Sequence, residues 1–209
     1  MEPLLFARGR LTRIAVGQRP VLSSRTSAGS VVFAVRGRRR ASPGRGPGEC
    51  MMVAMQKLEL TQAPAASASM IIRKPPEEVL EAFADPSVTT RFWYSRSSGR
   101  MVPGAELRWE WETYGASVQV RVEAVEEGRL IRFQWGNYEQ PTLVELKFTP
   151  QASNATFVEV TETGFQGSGD DAVRWVNDTV GGFTTVLCAL KALLEHGIEL
   201  GAVADHHPV

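Results

Sequence analysis

Between residues 106 and 163 the chain alternates apolar and polar residues at period two, segment after segment, and then changes period for one long stretch. Leu107, Trp109 and Trp111 alternate with Glu106, Arg108, Glu110 and Glu112. Val118, Val120 and Val122 alternate with Gln119, Arg121 and Glu123; Ile131, Phe133 and Trp135 with Arg132 and Gln134; Thr142, Val144, Leu146 and Phe148 with Leu143, Glu145 and Lys147. A last segment, Thr156 to Thr163, carries Val158, Val160 and Glu162 on one face. Such alternation predicts strands with one dry face and one wet face. From Asp170 to about His196 the spacing becomes three and four: Trp175, Thr179, Gly182, Phe183, Val186, Leu190 and Leu193 or Leu194 fall on one helical face, with Gly197 as the stop. About 26 residues at 1.5 Å each make a helix of roughly 39 Å, enough to cross a whole sheet.

Upstream, Met70 to Lys74 reads as a strand ended by Pro75-Pro76. Pro76-Glu77-Glu78 suits a helix start, because proline fits the first turn and acids favour the positive end of the helix dipole. Val79, Leu80 and Phe83 supply its apolar face, and Asp85-Pro86 closes it. A second short helix is expected from Ser87 to Tyr94, carrying Phe92, Trp93 and Tyr94. One sheet face and one helix face can both be buried only if the sheet curls around the last helix. The expected fold class is therefore α+β: a curved antiparallel six- or seven-stranded sheet wrapped around a long C-terminal helix, with two short helices after the first strand.

Charge divides the chain in two. Residues 1–48 hold ten arginines, no lysine and one acid, Glu2; of 23 basic and 23 acidic residues, 13 and 22 remain for 49–209, a formal −9. An acidic domain is poorly suited to phosphate backbones, so nucleic acid is not expected as a partner. The first 55 residues, rich in Arg, Gly, Ser and Pro, read as a disordered basic extension. An organellar transit peptide, a binding tail, and translation starting at Met51, Met52 or Met55 all account for that composition. Residues 56–200 form the expected domain and 201–209 a flexible tail. No apolar run approaches the roughly 18–20 residues of a membrane span. Two cysteines, Cys50 and Cys188, do not suggest a disulfide framework; Cys188 reads as a small buried residue of the last helix. The expected location is cytoplasmic, or organellar if residues 1–50 are a transit peptide.

The run Pro75 to Pro86, the cluster Phe92-Trp93-Tyr94, Met101 to Ala105 leading into an aromatic strand, Glu162-Thr163-Gly164-Phe165, and Gly181-Gly182-Phe183 through Leu194 occur in an order and spacing that resemble a known superfamily. The chain is similar to the START-like (SRPBCC), helix-grip superfamily, and within it to the C-terminal domain of the activator of heat-shock-protein-90 ATPase and its stand-alone relatives. Phe183 stands where that family usually has Trp. The resemblance implies a pocket between sheet and helix for a hydrophobic small molecule or lipid. It also implies a polyketide cyclase-like enzyme and a co-chaperone of heat-shock protein 90, acting in the stress response, as rivals. Residues 1–66 hold nothing that could fold into the extra N-terminal domain of the full co-chaperone.

The pocket face, by strand alternation, carries Trp109, Trp111, Phe133, Trp135, Phe148 and Glu162, with Trp175, Thr179 and Phe183 opposite on the helix. Those nine are the candidate ligand-binding residues, although aromatics in such positions also serve simply to fill a core. Glu162 is the one carboxylate there; it is expected either inside the pocket or at the strand end, near solvent or paired with Arg91 or Arg96. Tyr114, Tyr138 and Thr179 are the other polar groups within reach. No catalytic constellation, metal-ligand set or cofactor motif is expected: His196, His206 and His207 lie at or beyond the end of the helix. A monomer or homodimer and, as a third partner class, a chaperone complete the reading.

Overall fold

The computed structural model describes residues 59–206 except 138 and 153. The basic extension, Tyr138 and His207 therefore lie outside the described residues.

Seven strands, β1 (Ala66–Ile72), β2 (Arg96–Ser97), β3 (Glu106–Trp111), β4 (Ala116–Glu126), β5 (Leu130–Asn137), β6 (Gln140–Gln151) and β7 (Ala155–Thr163), form one antiparallel sheet in the order β1-β7-β6-β5-β4-β3-β2. Two short helices, α1 (Pro76–Ala84) and α2 (Pro86–Thr89), follow β1, and α3 (Gly169–His196) closes the chain order. This is the α+β helix-grip arrangement that the strand periods and the long apolar helical stripe predict. No helix among the described residues is long and apolar enough to cross a membrane.

The long β3–β7 meander arises from side-chain alternation carried through tight registers. Trp109 faces Val118, Val120 faces Trp135, Phe133 faces Val144, and Leu146 faces Val160. Each pair puts two apolar groups on the same face, which fixes the register: a one-residue slip would turn every one of them to solvent. A bulge between Val122 and Ala124 breaks the β4–β5 ladder and adds local twist. Ser168 caps α3, its hydroxyl accepting from the Asp171 N–H, and Gly197 ends it at φ 68°, a left-handed conformation that glycine adopts without penalty.

β1 and β2 are the sheet edges. Along β1 the last turns of α3 cover part of the free edge: Lys191 Nζ donates to the Ile71 carbonyl at 2.8 Å, and Glu195 Oε1 accepts from the Arg73 N–H at 2.8 Å. An unpaired strand edge invites association, and these bonds blunt it.

Several local expectations need correction. The second short helix runs only from Pro86 to Thr89. Phe92, Trp93 and Tyr94 are all buried, and three successive residues cannot share one helical face. The Thr89 hydroxyl lies within 3.0 Å of the Ala82, Phe83 and Asp85 carbonyls and turns the chain back onto α1. β1 begins at Ala66, earlier than expected, because its inward residues include Ala66 and Ala68, too small to register as an apolar alternation. β2 has two residues, too few for any period to show. Cys188 is exposed, not buried. Residues 201–206 do more than trail from the helix: Val203 is buried, and the Tyr114 hydroxyl bonds to the Val203 and Ala204 carbonyls at 2.6 and 2.9 Å.

Candidate functional site

All nine candidate residues are buried, and they do not form one uniform wall. Trp109, Phe133, Trp135 and Phe183 meet ring to ring: Trp109 lies 5.2 Å from Phe133 and 6.2 Å from Trp135, and Trp135 stacks on Phe183 at 5.9 Å. Phe148 packs against Phe83 of α1 at 5.9 Å. Trp175 stands apart from this group and stacks on Phe165 at 4.9 Å. Trp111 is reached through Tyr94, 6.3 Å away.

The residue at the centre of the aromatic group is Trp93, which was not among the candidates. Its ring contacts Phe83, Tyr94, Trp109, Phe133, Trp135 and Phe183 at centroid distances of 5.0 to 6.5 Å. Edge-on and offset aromatic pairs of this kind each contribute about 0.5–1.5 kcal/mol beyond area burial. The sequence does signal Phe92-Trp93-Tyr94 as a cluster, but its placement against the sheet depends on the turn at Thr89.

Glu162 sits in the interior, 1% exposed. Neither proposed arginine reaches it: Arg91 pairs with Glu199 at 2.6 Å and Arg96 with Glu112 at 2.9 Å. Its partners are neutral. Oε1 accepts from Trp135 Nε1 at 2.9 Å and from the Thr142 hydroxyl. The strand register brings these three together, since Thr142 lies opposite Trp135 and the next inward residue of β6, Val144, lies opposite Glu162. Burial, which disfavours the charged carboxylate, pushes the Glu162 carboxyl up from 4.5 to about 7, against the pull of the Thr142, Trp135 and Thr179 donors.

Three polar atoms at this boundary between β7 and α3 have no hydrogen-bond partner: Glu162 Oε2, Thr179 Oγ1 and Trp175 Nε1. The Thr179 hydroxyl is near enough to favour the charged carboxylate, yet it makes no bond of ordinary length. A second unpartnered set comprises the Tyr94 hydroxyl, Trp109 Nε1 and Trp111 Nε1. Each such group costs about 1–3 kcal/mol when left unsatisfied in the interior. Tyr114, expected to offer a polar group here, has its hydroxyl turned to the Val203 and Ala204 carbonyls.

Two concavities occur among the described residues: one, of about 140 Å³, has Val120, Gln134, Trp135 and Pro141 in its lining and so touches one candidate residue, Trp135; the other, of about 370 Å³, lies between α1 and the end of α3, with Ala82, Val88, Leu193 and Leu194 in its lining. Neither is lined by Glu162, Trp175 or Thr179.

Comparison with known proteins places this architecture. The family described as Activator of Hsp90 ATPase homolog 1-like protein matches residues 73–195, more than half of the chain. The chain belongs to that family.

Solved structures with the same fold include a protein from Staphylococcus saprophyticus, 31% identical, with a TM-score of 0.57 over 65% of this chain and 95% of that one. The Aha1 dimer from Colwellia psychrerythraea is 18% identical, with a TM-score of 0.55 over 64% and 97%. A protein of the dynemicin biosynthetic locus is 21% identical, with a TM-score of 0.58 over 66% of this chain but 49% of its own length. The last two likenesses are of fold alone. No curated protein matches the chain. Membership of the Activator of Hsp90 ATPase homolog 1-like family covers residues 73–195 and accounts for the fold; function has to be argued from the site.

Proposed function

We propose that this protein is a non-enzymatic binding module for a hydrophobic small molecule or lipid, held between the sheet and α3 with its polar end at Glu162. The observation that carries the reading is the unpartnered Oε2 of Glu162 beside the unpartnered hydroxyl of Thr179. A core built only for stability gains from an apolar residue at position 162, because a buried carboxylate with one oxygen unsatisfied is costly. A ligand hydroxyl answers both groups at once: it donates to Oε2 and accepts from Thr179. The indoles and phenyls around it supply the apolar surface that such sites present.

A carboxyl held at about 7 is also suited to moving a proton at neutral pH, which favours a cyclase-like enzyme as the second reading. Chaperone contact is the third, and it rests on the family description alone.

Calorimetric titration of 2-naphthol, a fused aromatic bearing one hydroxyl, into the full-length protein tests the binding reading. A sub-millimolar Kd in the parent protein and a roughly tenfold weaker one in Glu162→Gln support it. Equal affinity in the two proteins, or no heat in either, overturns it.

A further inference from the structure

We infer that residues 197–206 are a hinged strap that lifts off the domain as a unit while the domain stays folded, and that this opening is the way a ligand enters the interior. The entrance role rests on the binding site proposed above. Neither concavity reaches Glu162 or Thr179, so a molecule held there has to pass a part of the chain that moves.

The strap begins where α3 stops. Gly197 takes a left-handed φ of 68°, and Gly201 bends the chain again at φ 63°. Beyond the cap of α3, the Asp205 N–H donates to the Gly201 carbonyl at 3.1 Å, a bond internal to the strap. Among the described residues no N–H of 199–205 donates to another element.

Two side-chain ties and one apolar residue hold the strap down. Glu199 pairs with Arg91 at 2.6 Å, but both side chains are about half exposed, and exposed pairs contribute little. The Tyr114 hydroxyl, with its one proton, lies 2.6 and 2.9 Å from the Val203 and Ala204 carbonyls. Val203 is buried and belongs to the apolar cluster that includes Trp93, Tyr94 and Trp111. Ile198 and Leu200 are exposed and add no comparable burial. A segment with one buried large side chain and no ladder bonds sits at the low end of the range of local opening free energies.

The path of the strap decides what its opening uncovers. Arg91 stands two residues before Trp93, and Tyr114 three residues after Trp111, the last residue of β3. The strap thus crosses the seam where the Phe92-Trp93-Tyr94 turn meets the end of β3. Arg91 and Gly197 also line the groove of about 370 Å³ between α1 and α3. Release of Glu199 and Val203 joins that groove to the seat that Val203 leaves in the apolar cluster.

The test uses thiol labelling and binding kinetics on the full-length protein. Val203→Cys puts a thiol in the strap's buried seat, and Val186→Cys puts one in the buried face of α3. Labelling by iodoacetamide, resolved by peptide mass spectrometry, is expected to be at least about a hundredfold faster at 203 than at 186, and slower than at the exposed Cys188. Tyr114→Phe should speed labelling at 203 about tenfold and leave position 186 unchanged. Equal rates at 203 and 186 would show one cooperative unit and overturn the strap. A rate at 203 equal to that of Cys188 would show a segment that is never docked, and overturns it as well. Stopped-flow mixing with 2-naphthol, followed by tryptophan fluorescence, tests the entrance. Tyr114→Phe should raise the association and dissociation rates together, each by about the factor seen in labelling, with Kd held within about twofold. Faster labelling with unchanged binding rates overturns the entrance role and leaves the binding site standing. If 2-naphthol does not bind the parent protein, the site and its entrance fall together, while the labelling still decides whether the strap opens.

Discussion

Trp135 Nε1 on β5 donates to Glu162 Oε1 on β7 at 2.9 Å, reaching across β6, whose Thr142 donates to the same oxygen. One oxygen of the carboxylate is thereby held by two donors, while the other makes no hydrogen bond of ordinary length, with the Thr179 hydroxyl close by. Half-satisfied burial of this kind fixes the carboxylate in place at a cost in free energy and couples its charge to pH.

Burial raises the Glu162 carboxyl from 4.5 to about 7. For an acid whose folded value is raised, the folded state holds the proton longer than the unfolded chain does. Stability from this group is therefore complete below about pH 4.5 and is lost as pH rises through 7, for a total of about 3 kcal/mol. Glu162→Gln removes the titration. Urea unfolding of both proteins from pH 4.5 to 8 is expected to show the parent losing stability relative to the variant across that window, with no further divergence above pH 8. Parallel curves across the window would contradict the raised carboxyl.

Glu195 behaves in the opposite sense. Burial opposes its charge, but Lys191 and the Arg73 backbone and guanidinium donors outweigh it and hold the carboxyl at about 2. Its contribution is present above about pH 4.5 and disappears as pH falls toward 2. Glu195→Ala should cost about 1–2 kcal/mol at pH 7 and little near pH 2, measured by urea unfolding. A loss at pH 7 also uncovers the β1 edge, so the variant should associate more readily at high concentration.

Gly181 lies inside α3, and a Cβ built there meets nothing within 4 Å. No neighbouring atom comes close enough to position 181 to require a glycine there; the adjacent Gly182 is the buried one. Gly181→Ala is expected to raise stability by up to about 1 kcal/mol, because alanine loses less backbone freedom in a helix. Thermal unfolding checks it, and an unchanged or lowered Tm would contradict the open space seen at that position.

The architecture was legible because strand and helix periods are local properties. Leu107-Trp109-Trp111 and Ile131-Phe133-Trp135 announce their buried faces within six residues, and Trp175 to Leu193 announces the helix. Glu162 was legible as an inward residue for the same reason, from its phase with Val158 and Val160. Its partners were not. That Thr142 and Trp135 meet at Glu162 depends on the registers of two ladders, which alternation constrains only to even steps. Trp93 and Tyr94 were hidden differently: their segment has no period, and the Thr89 hydroxyl, by folding the chain back onto α1, decides where they point. β1 went partly unseen because Ala66 and Ala68 bury too little surface to stand out from Ser67 and Ser69.

The most direct test of the central claim is native mass spectrometry of the full-length protein as purified, alongside Glu162→Gln. The account predicts a retained small molecule on the parent protein that the variant holds poorly or loses. A bare mass for both, together with no thermal shift across a panel of hydrophobic compounds, would contradict a ligand held between the sheet and α3.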